Sequence, residues 1–179
     1  MKKKKLLGIT IVVVVLALGF GIYKMGQFLN EPTDEEIDKA KAEIEKGFKA
    51  TELELIETDG KVIDDVKVRF PDNMKESEMQ NAIHGLSHQK VEAETKWGYI
   101  RMTEERINRL LEVAKLNEQK WELNGDLYVD ILAQWSSGDF SSADIDHNDI
   151  WELQGGSVGQ ATGLLNPWEE KEYIENTFE

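Results

Sequence analysis

The fold class is decided by residues 103–114, which read TEERINRLLEVA. Thr103 is a favourable N-cap, and the carboxylates of Glu104 and Glu105 suit the positive end of a helix dipole. Apolar residues then recur at intervals of three and four, the spacing of one buried helical face, at Ile107, Leu110, Leu111 and Ala114. The stretch therefore predicts an amphipathic helix packed on a core.

The same periodicity extends to both sides of this helix. It predicts further helices from about 75 to 92, after Asn124-Gly125, from about 141 to 154, and from Pro167 to the end. Short breaks such as Ser136-Ser137-Gly138 and Gly155-Gly156 separate them, and short connections favour antiparallel packing. Residues 75–179 are therefore expected to form a small antiparallel helical domain.

Residues 30–74 have a different pattern. Thr33 and Glu36 form a capping box, which predicts a helix from about 34 to 48. Alternating apolar residues flank Asp59-Gly60, so we predict strands near 52–57 and 61–69 joined as a hairpin. The expected fold is mainly α, with a short N-terminal β-hairpin ahead of the helical domain.

The first 29 residues have the pattern of a membrane anchor. Four lysines, Lys2 to Lys5, precede an uncharged run from Leu6 to Tyr23, and Lys24 follows. As a helix this run spans roughly 27 Å, close to the ~30 Å hydrocarbon core of a bilayer. The excess of lysine before the run predicts a cytoplasmic N-terminus. We expect one transmembrane helix at the cell membrane, with the domain outside.

A cleaved signal peptide is the alternative for this segment. It has the same charged and apolar regions, but residues 19–24 contain large side chains where cleavage needs small ones. The chain has no cysteine, which excludes a lipoprotein anchor, disulfides and thiol chemistry. An uncleaved anchor is therefore the preferred interpretation.

The charge of the chain limits its partners. Five of the 21 basic residues precede Asn30 and all 35 acidic residues follow it, so the body carries 16 basic residues and a formal charge of −19. Such a body repels nucleic acid and anionic headgroups. We expect a protein partner and no nucleic acid. The five tryptophans are expected mostly in the core.

The three histidines are the strongest candidates for chemistry. His84 and His88 lie four residues apart, a spacing at which two imidazoles on one helical face can bind one metal ion. His147 can complete a three-ligand zinc site if the two helices pack together. The motif lacks the glutamate of the zinc-protease helix, and close packing explains Gly85 without a metal. Structural hydrogen bonding is therefore favoured, with metal binding as the alternative.

Two other motifs are incomplete. Residues 144–148, DIDHN, open like a calcium loop, but Asp149 replaces its glycine and Gly155 replaces its bidentate glutamate. The glycines from Gly155 to Gly163 follow a helix instead of leading into one, as a phosphate cradle would. No catalytic residue and no cofactor is predicted from either motif.

Two stretches carry a family resemblance. One is AIHGLSHQKV at residues 82–91 with Lys96-Trp97-Gly98 after it; the other begins at Phe140 and includes IWELQGG at 150–156 and ATGLL at 161–165. Over about residues 75–178 the chain resembles an uncharacterised family of small bacillus-type proteins, a domain of unknown function that follows a membrane segment. The resemblance implies a Gram-positive envelope location and no particular activity.

The sequence favours an interaction or regulatory role in the envelope over catalysis. Its expected organisation is a lysine tail and anchor at 1–29, a juxtamembrane helix and hairpin at 30–74, and an extracytoplasmic helical domain at 75–179. The alternative is a metal-binding module or metal-dependent enzyme that uses His84, His88 and His147.

Overall fold

The computed structural model describes residues 31–49, 55–58 and 61–179. The predicted membrane segment, Leu6 to Tyr23, lies outside these ranges. Within them, none of the helices has the length and apolar character needed to cross a membrane. The chain divides into two compact units, residues 1–37 and 38–179, and the core and the candidate site both belong to the second.

The described residues are mainly helical, as the sequence predicts. Four short strands form two antiparallel pairs: β1 (Leu55–Thr58) with β2 (Lys61–Asp64), and β3 (Val91–Ala93) with β4 (Ala161–Leu164). A 3-10 turn covers Glu118–Lys120. The α-helices are α1 (Asp34–Lys49), α2 (Asp65–Arg69), α3 (Glu76–Ser87), α4 (Glu104–Asn117), α5 (Gly125–Ser136), α6 (Ala143–Leu153) and α7 (Pro167–Phe178).

Local capping signals fix several helix starts where the sequence predicts them. The Thr33 backbone N–H donates to Glu36 Oε2 at 2.8 Å, and the Glu36 N–H donates back to Thr33 Oγ1 at 3.3 Å, which closes the capping box of α1. At α4 the Thr103 hydroxyl oxygen accepts from the Arg106 N–H. Asn166 caps α7 in the same way, ahead of Pro167. These predictions are confirmed.

The core lies between α3, α4, α5 and α6. Its largest fully buried side chains include Trp135 and Tyr128 from α5, and Trp121 is also buried. The expectation that the five tryptophans lie mostly in the core holds for Trp121 and Trp135. Trp151 is only partly buried, Trp168 is 38% exposed and Trp97 is 73% exposed. Trp97 lies in the extended segment between β3 and α4, where no helical face turns it inward.

Two predicted elements are wrong in part. The strand expected at 61–69 ends at Asp64, and residues 65–69 form α2. Val66 and Phe70 are buried while Val68 is half exposed, so the apparent alternation is a helical interval of four. The residues 50–54 and the Asp59-Gly60 turn lie outside the described ranges.

The helix expected over 75–92 is also too long. It ends at Ser87, and Val91 pairs with Leu164 in the β3–β4 ladder. This ladder packs on α6, which in turn packs on α3. Two helices that carry histidines are therefore held face to face.

Candidate metal centre

The packing of α3 on α6 brings all three histidines into one cluster. The ring centroids lie 4.7 Å apart for His84 and His88, 4.5 Å for His84 and His147, and 5.3 Å for His88 and His147. One ring nitrogen from each residue lies within 4.8 Å of the other two. The condition for a three-ligand site, that the two helices pack together, is met.

The apolar faces of the two helices place these rings. On α6, His147 shares a fully buried stripe with Ala143 and Ile150, at intervals of four and three residues. On α3, the buried stripe of Met79, Ile83 and Leu86 packs on the core, and His84 lies at its border. His88 is the C-cap residue that follows the helix, and it is buried. The His147 ring lies at 75° to the His84 ring, in a T-shaped arrangement, and at 50° to the His88 ring.

Each imidazole is held at one nitrogen by an acceptor from another part of the chain. Because a carbonyl or amide oxygen only accepts, the nitrogen beside it carries the proton and the opposite nitrogen keeps its lone pair. Metal-binding histidines are oriented in this way. The acceptors are Gln154 Oε1 for His84 Nδ1 (2.5 Å), the Gly98 carbonyl for His88 Nδ1 (2.5 Å) and the Gly159 carbonyl for His147 Nε2 (3.0 Å).

The orientation of the Gln154 amide follows from its second contact. Its Nε2 donates to Asn81 Oδ1 at 2.8 Å, which leaves Oε1 to accept from His84. The lone pairs of the cluster are then assigned to Nε2 of His84, Nε2 of His88 and Nδ1 of His147.

Ser87 lies between the two helices of the site. Its Oγ is 2.7 Å from the His84 carbonyl and 2.8 Å from His147 Nδ1. One hydroxyl hydrogen serves one of these acceptors at a time. When Ser87 donates to the His84 carbonyl, the lone pair of His147 Nδ1 is available to an ion.

Burial keeps the three rings neutral. It lowers the pKa of His88 and of His147 to about 4, and it lowers the pKa of His84 as well. The charge of Lys96, whose Nζ donates to the His88 carbonyl at 2.9 Å, is a smaller contribution to the lowered pKa of His88 and of His147. At neutral pH each ring is therefore uncharged and offers the lone pair of one nitrogen to a metal ion.

The cluster is open to ions on one side. His88 and His147 are fully buried, but His84 is half-buried. No fully buried side-chain nitrogen or oxygen of the described residues lacks a hydrogen-bond partner. The cluster therefore reaches solvent on the side of His84.

A zinc ion fits this cluster after a small closure of the rings. With Zn–N bonds of about 2.0–2.1 Å, tetrahedral geometry places the nitrogens roughly 3.3 Å apart. The nitrogens here lie within 4.8 Å of one another, so ring rotations would have to shorten the largest separation by up to roughly 1.5 Å. The donor set suits zinc, copper or nickel, because imidazole is a ligand that these metals share.

The other sequence motifs have structural roles here. Residues 144–148 lie in the first turns of α6, and Asp146 accepts a hydrogen bond from Trp135 Nε1 at 2.8 Å instead of joining the cluster. Gly155, with φ of +71°, follows α6, and residues 161–164 of the glycine-rich stretch form β4. Among the described residues, neither motif forms a calcium or phosphate site, and His147 is the residue of 144–148 that joins the histidine cluster.

Gly85 is explained by close packing, as expected, although its neighbour is not a helix. A Cβ at Gly85 would lie 3.2 Å from Ile100 Cγ1, and the Ile100 N–H donates to the Gly85 carbonyl at 3.0 Å. The extended segment that contains Ile100 also supplies the Gly98 carbonyl to His88. Sequence reasoning missed Gly98, Gly159 and Gln154, since a backbone or amide acceptor has no local signature.

Comparison with known proteins identifies one protein family. A family model described as "Family of unknown function (DUF6241)" matches residues 83–175, just over half of the 179-residue chain. The matched range contains all three histidines. No curated protein matches the chain, and no solved structure matches it.

Proposed function

We propose that this chain, which belongs to the DUF6241 family of unknown function, binds one divalent transition-metal ion. The ion is zinc in the first instance, and its ligands are His84, His88 and His147. The supporting observation is the convergence of three imidazoles whose other nitrogens are oriented by separate acceptors. The set contains no carboxylate among the described residues, which disfavours calcium and magnesium.

Elemental analysis of the purified full chain tests this proposal. The protein needs a tag without histidine, because the chain has only three histidines. We expect about one equivalent of metal after dialysis against zinc, and none for a His84→Gln, His88→Gln double variant. A Gln134→Ala variant is the matched control, since Gln134 bonds to Ser142, away from the cluster. Equal metal content in wild type and double variant would contradict the proposal.

We further propose that the domain is anchored outside a Gram-positive membrane. The support comes from the sequence: Lys2 to Lys5, the uncharged run from Leu6 to Tyr23, and Lys24. Protease added to cells stripped of their wall should digest the domain and spare a small membrane-embedded fragment. Protection of the domain would place it in the cytoplasm, and a mature chain beginning near Lys24 would mean cleavage.

An interaction or regulatory role with a protein partner stays our prediction for the whole protein. Two exposed aromatic side chains favour it: Trp97 is 73% exposed and Tyr99 is 59% exposed. They flank Gly98, whose carbonyl accepts from His88 Nδ1, so a partner bound there would contact the segment that orients His88. Large exposed aromatics beside one another are typical of interaction surfaces.

A photo-crosslinker at position 97 in the native envelope tests this surface. We expect it to capture one protein that a crosslinker at Leu123 does not. Leu123 is a suitable control because it is 94% exposed and lies elsewhere on the surface. The same products from both positions would argue against a specific partner at Trp97.

A further inference from the structure

We propose that the metal bound by these histidines keeps one coordination position open and fills it with a small monoanion from solution, such as a carboxylate. This inference rests on the proposed metal site and adds the class of ligand that the site takes. It follows from the number of donors, the charge around them and the side on which the cluster is open.

The protein offers three donors to an ion that prefers four. The cluster consists of His84, His88 and His147, with no carboxylate among the described residues, and the chain has no cysteine. A zinc site with three protein ligands holds water or an exogenous ligand in its fourth position, whereas a structural site closes with a fourth side chain. The donor count therefore indicates an open position.

The charge of the site favours an anion in that position. All three ligands are neutral, and so are the groups that orient them, since two are backbone carbonyls and the third is the Gln154 amide. Lys96 adds a positive charge, with its Nζ 2.9 Å from the His88 carbonyl, and the exposed carboxylate of Glu92 offsets part of it. A divalent ion would thus lie beside a cation in a largely buried site. A negative ligand offsets this excess charge.

The open position faces the side of His84. His88 and His147 are fully buried, while His84 is half-buried and lies at the border of the α3 stripe. An anion would therefore approach the cluster from the side of His84.

Cobalt substitution of the full chain in detergent tests the open position. Co²⁺ replaces zinc in such sites and gives visible bands that change when a ligand is exchanged. We expect azide and acetate to shift these bands saturably by displacing bound water, and acetamide, a neutral molecule of the same size, to leave them unchanged. Stoichiometric Co²⁺ with bands that ignore both anions would overturn the open position, and an equal response to acetamide would overturn the preference for anions.

A Lys96→Gln variant tests the charge. Glutamine keeps a donor for the His88 carbonyl but removes the cation. We expect acetate and azide to bind severalfold more weakly, while Co²⁺ binds more tightly. The positive charge of Lys96 attracts the anion and repels the metal ion, so its removal has opposite effects on the two. Lys115→Gln, at an exposed position of α4, is the matched control and should change neither constant.

Two further outcomes separate the role of Lys96 from the existence of the metal site. If Lys96→Gln and Lys115→Gln have equal effects, the contribution of Lys96 to anion binding is overturned. If the wild-type chain binds no Co²⁺, the proposed metal site itself fails, and this inference fails with it. Because Co²⁺ stoichiometry is measured before any anion is added, the two failures are distinguishable.

Discussion

Three neutral imidazoles are the residues on which the proposed function depends. Burial lowers the pKa of His88 and His147 to about 4, so neither ring is protonated at neutral pH. A neutral imidazole is equally suited to a hydrogen-bonded core and to a metal. Spacing alone favours a structural role for His84 and His88, and the position of His147 beside them is the observation that supports our proposal of a metal site.

The first prediction is that the free energy of unfolding falls as the pH drops from about 6.5 to about 4. A histidine in the unfolded chain binds a proton near pH 6.5, whereas folded His88 and His147 bind one only near pH 4. Between these values the unfolded state holds more protons, so stability is lost as pH decreases. Above pH 6.5 both states are neutral and the histidine contribution is constant.

Denaturant unfolding of metal-free protein at a series of pH values measures this slope. His88→Gln should reduce the proton uptake on unfolding by roughly one proton near pH 5, while His147 keeps its share. Asp146, whose pKa burial raises, contributes with the opposite sign at the acid end and is present in both proteins. Identical slopes in the variant and the wild type would show that His88 is not held neutral.

The second prediction concerns the acceptor that orients His84. Replacing Gln154 by Ala removes the partner of His84 Nδ1 and should weaken zinc binding by about tenfold or more, as expected for the loss of an outer-shell partner. The melting temperature of the metal-free protein should change little, because Gln154 is exposed. Competition with a chromophoric chelator gives the affinity. Unchanged affinity would mean that Gln154 does not orient a ligand.

Among the secondary-structure elements, two connecting segments hold the site. The segment before α4 supplies the Gly98 carbonyl, and the segment between α6 and β4 supplies the Gly159 carbonyl. They touch each other, since a Cβ at Gly159 would lie 2.4 Å from the Thr95 carbonyl oxygen. Gly159 also has φ of +86°, a conformation that other residues adopt at a cost.

The third prediction compares two glycines with the same backbone conformation. Gly159→Ala combines left-handed strain with a clash against backbone, and we expect a loss of at least about 2 kcal/mol in unfolding free energy. Gly138 has φ of +83°, and a Cβ added there would have no neighbouring atom within 4 Å. Gly138→Ala should therefore show the backbone strain alone, a loss of about 1–2 kcal/mol in unfolding free energy. Denaturant titration measures both. Equal losses would mean that the two segments do not pack as closely as described.

The elements differ in how well the sequence predicts them. The starts of α1, α4 and α7 are marked by capping residues that lie close in sequence to the helix they begin. Local sequence patterns therefore suffice to predict these starts. Strands β3 and β4 have three and four residues, and their pairing joins Val91 to Leu164 across the whole α4–α6 region. Nothing near either strand indicates its partner. The acceptors at Gly98 and Gly159 depend on that same long-range packing.

For the whole molecule, charge and core point to an independently stable body. Residues 38–179 contain the continuous core, and the body is strongly acidic. The fourth prediction is that residues 31–179 alone are soluble, helical and cooperative in thermal melting. Circular dichroism measures this, and the spectrum of a disordered chain would show that the domain needs the membrane or a partner to fold.

Metal binding is the central claim, and the chelator dependence of the melting temperature tests it most directly. Zinc at 100 times its dissociation constant should stabilise the folded full chain by about 2.7 kcal/mol, since an ion that binds only the folded state shifts unfolding by mass action. Replacing His84 and His88 by Gln should cost about 1–2 kcal/mol for the lost hydrogen bonds. We predict that chelator lowers the melting temperature of the wild type and leaves that of the double variant unchanged. A wild-type melt that is the same with zinc and with chelator would contradict the claim.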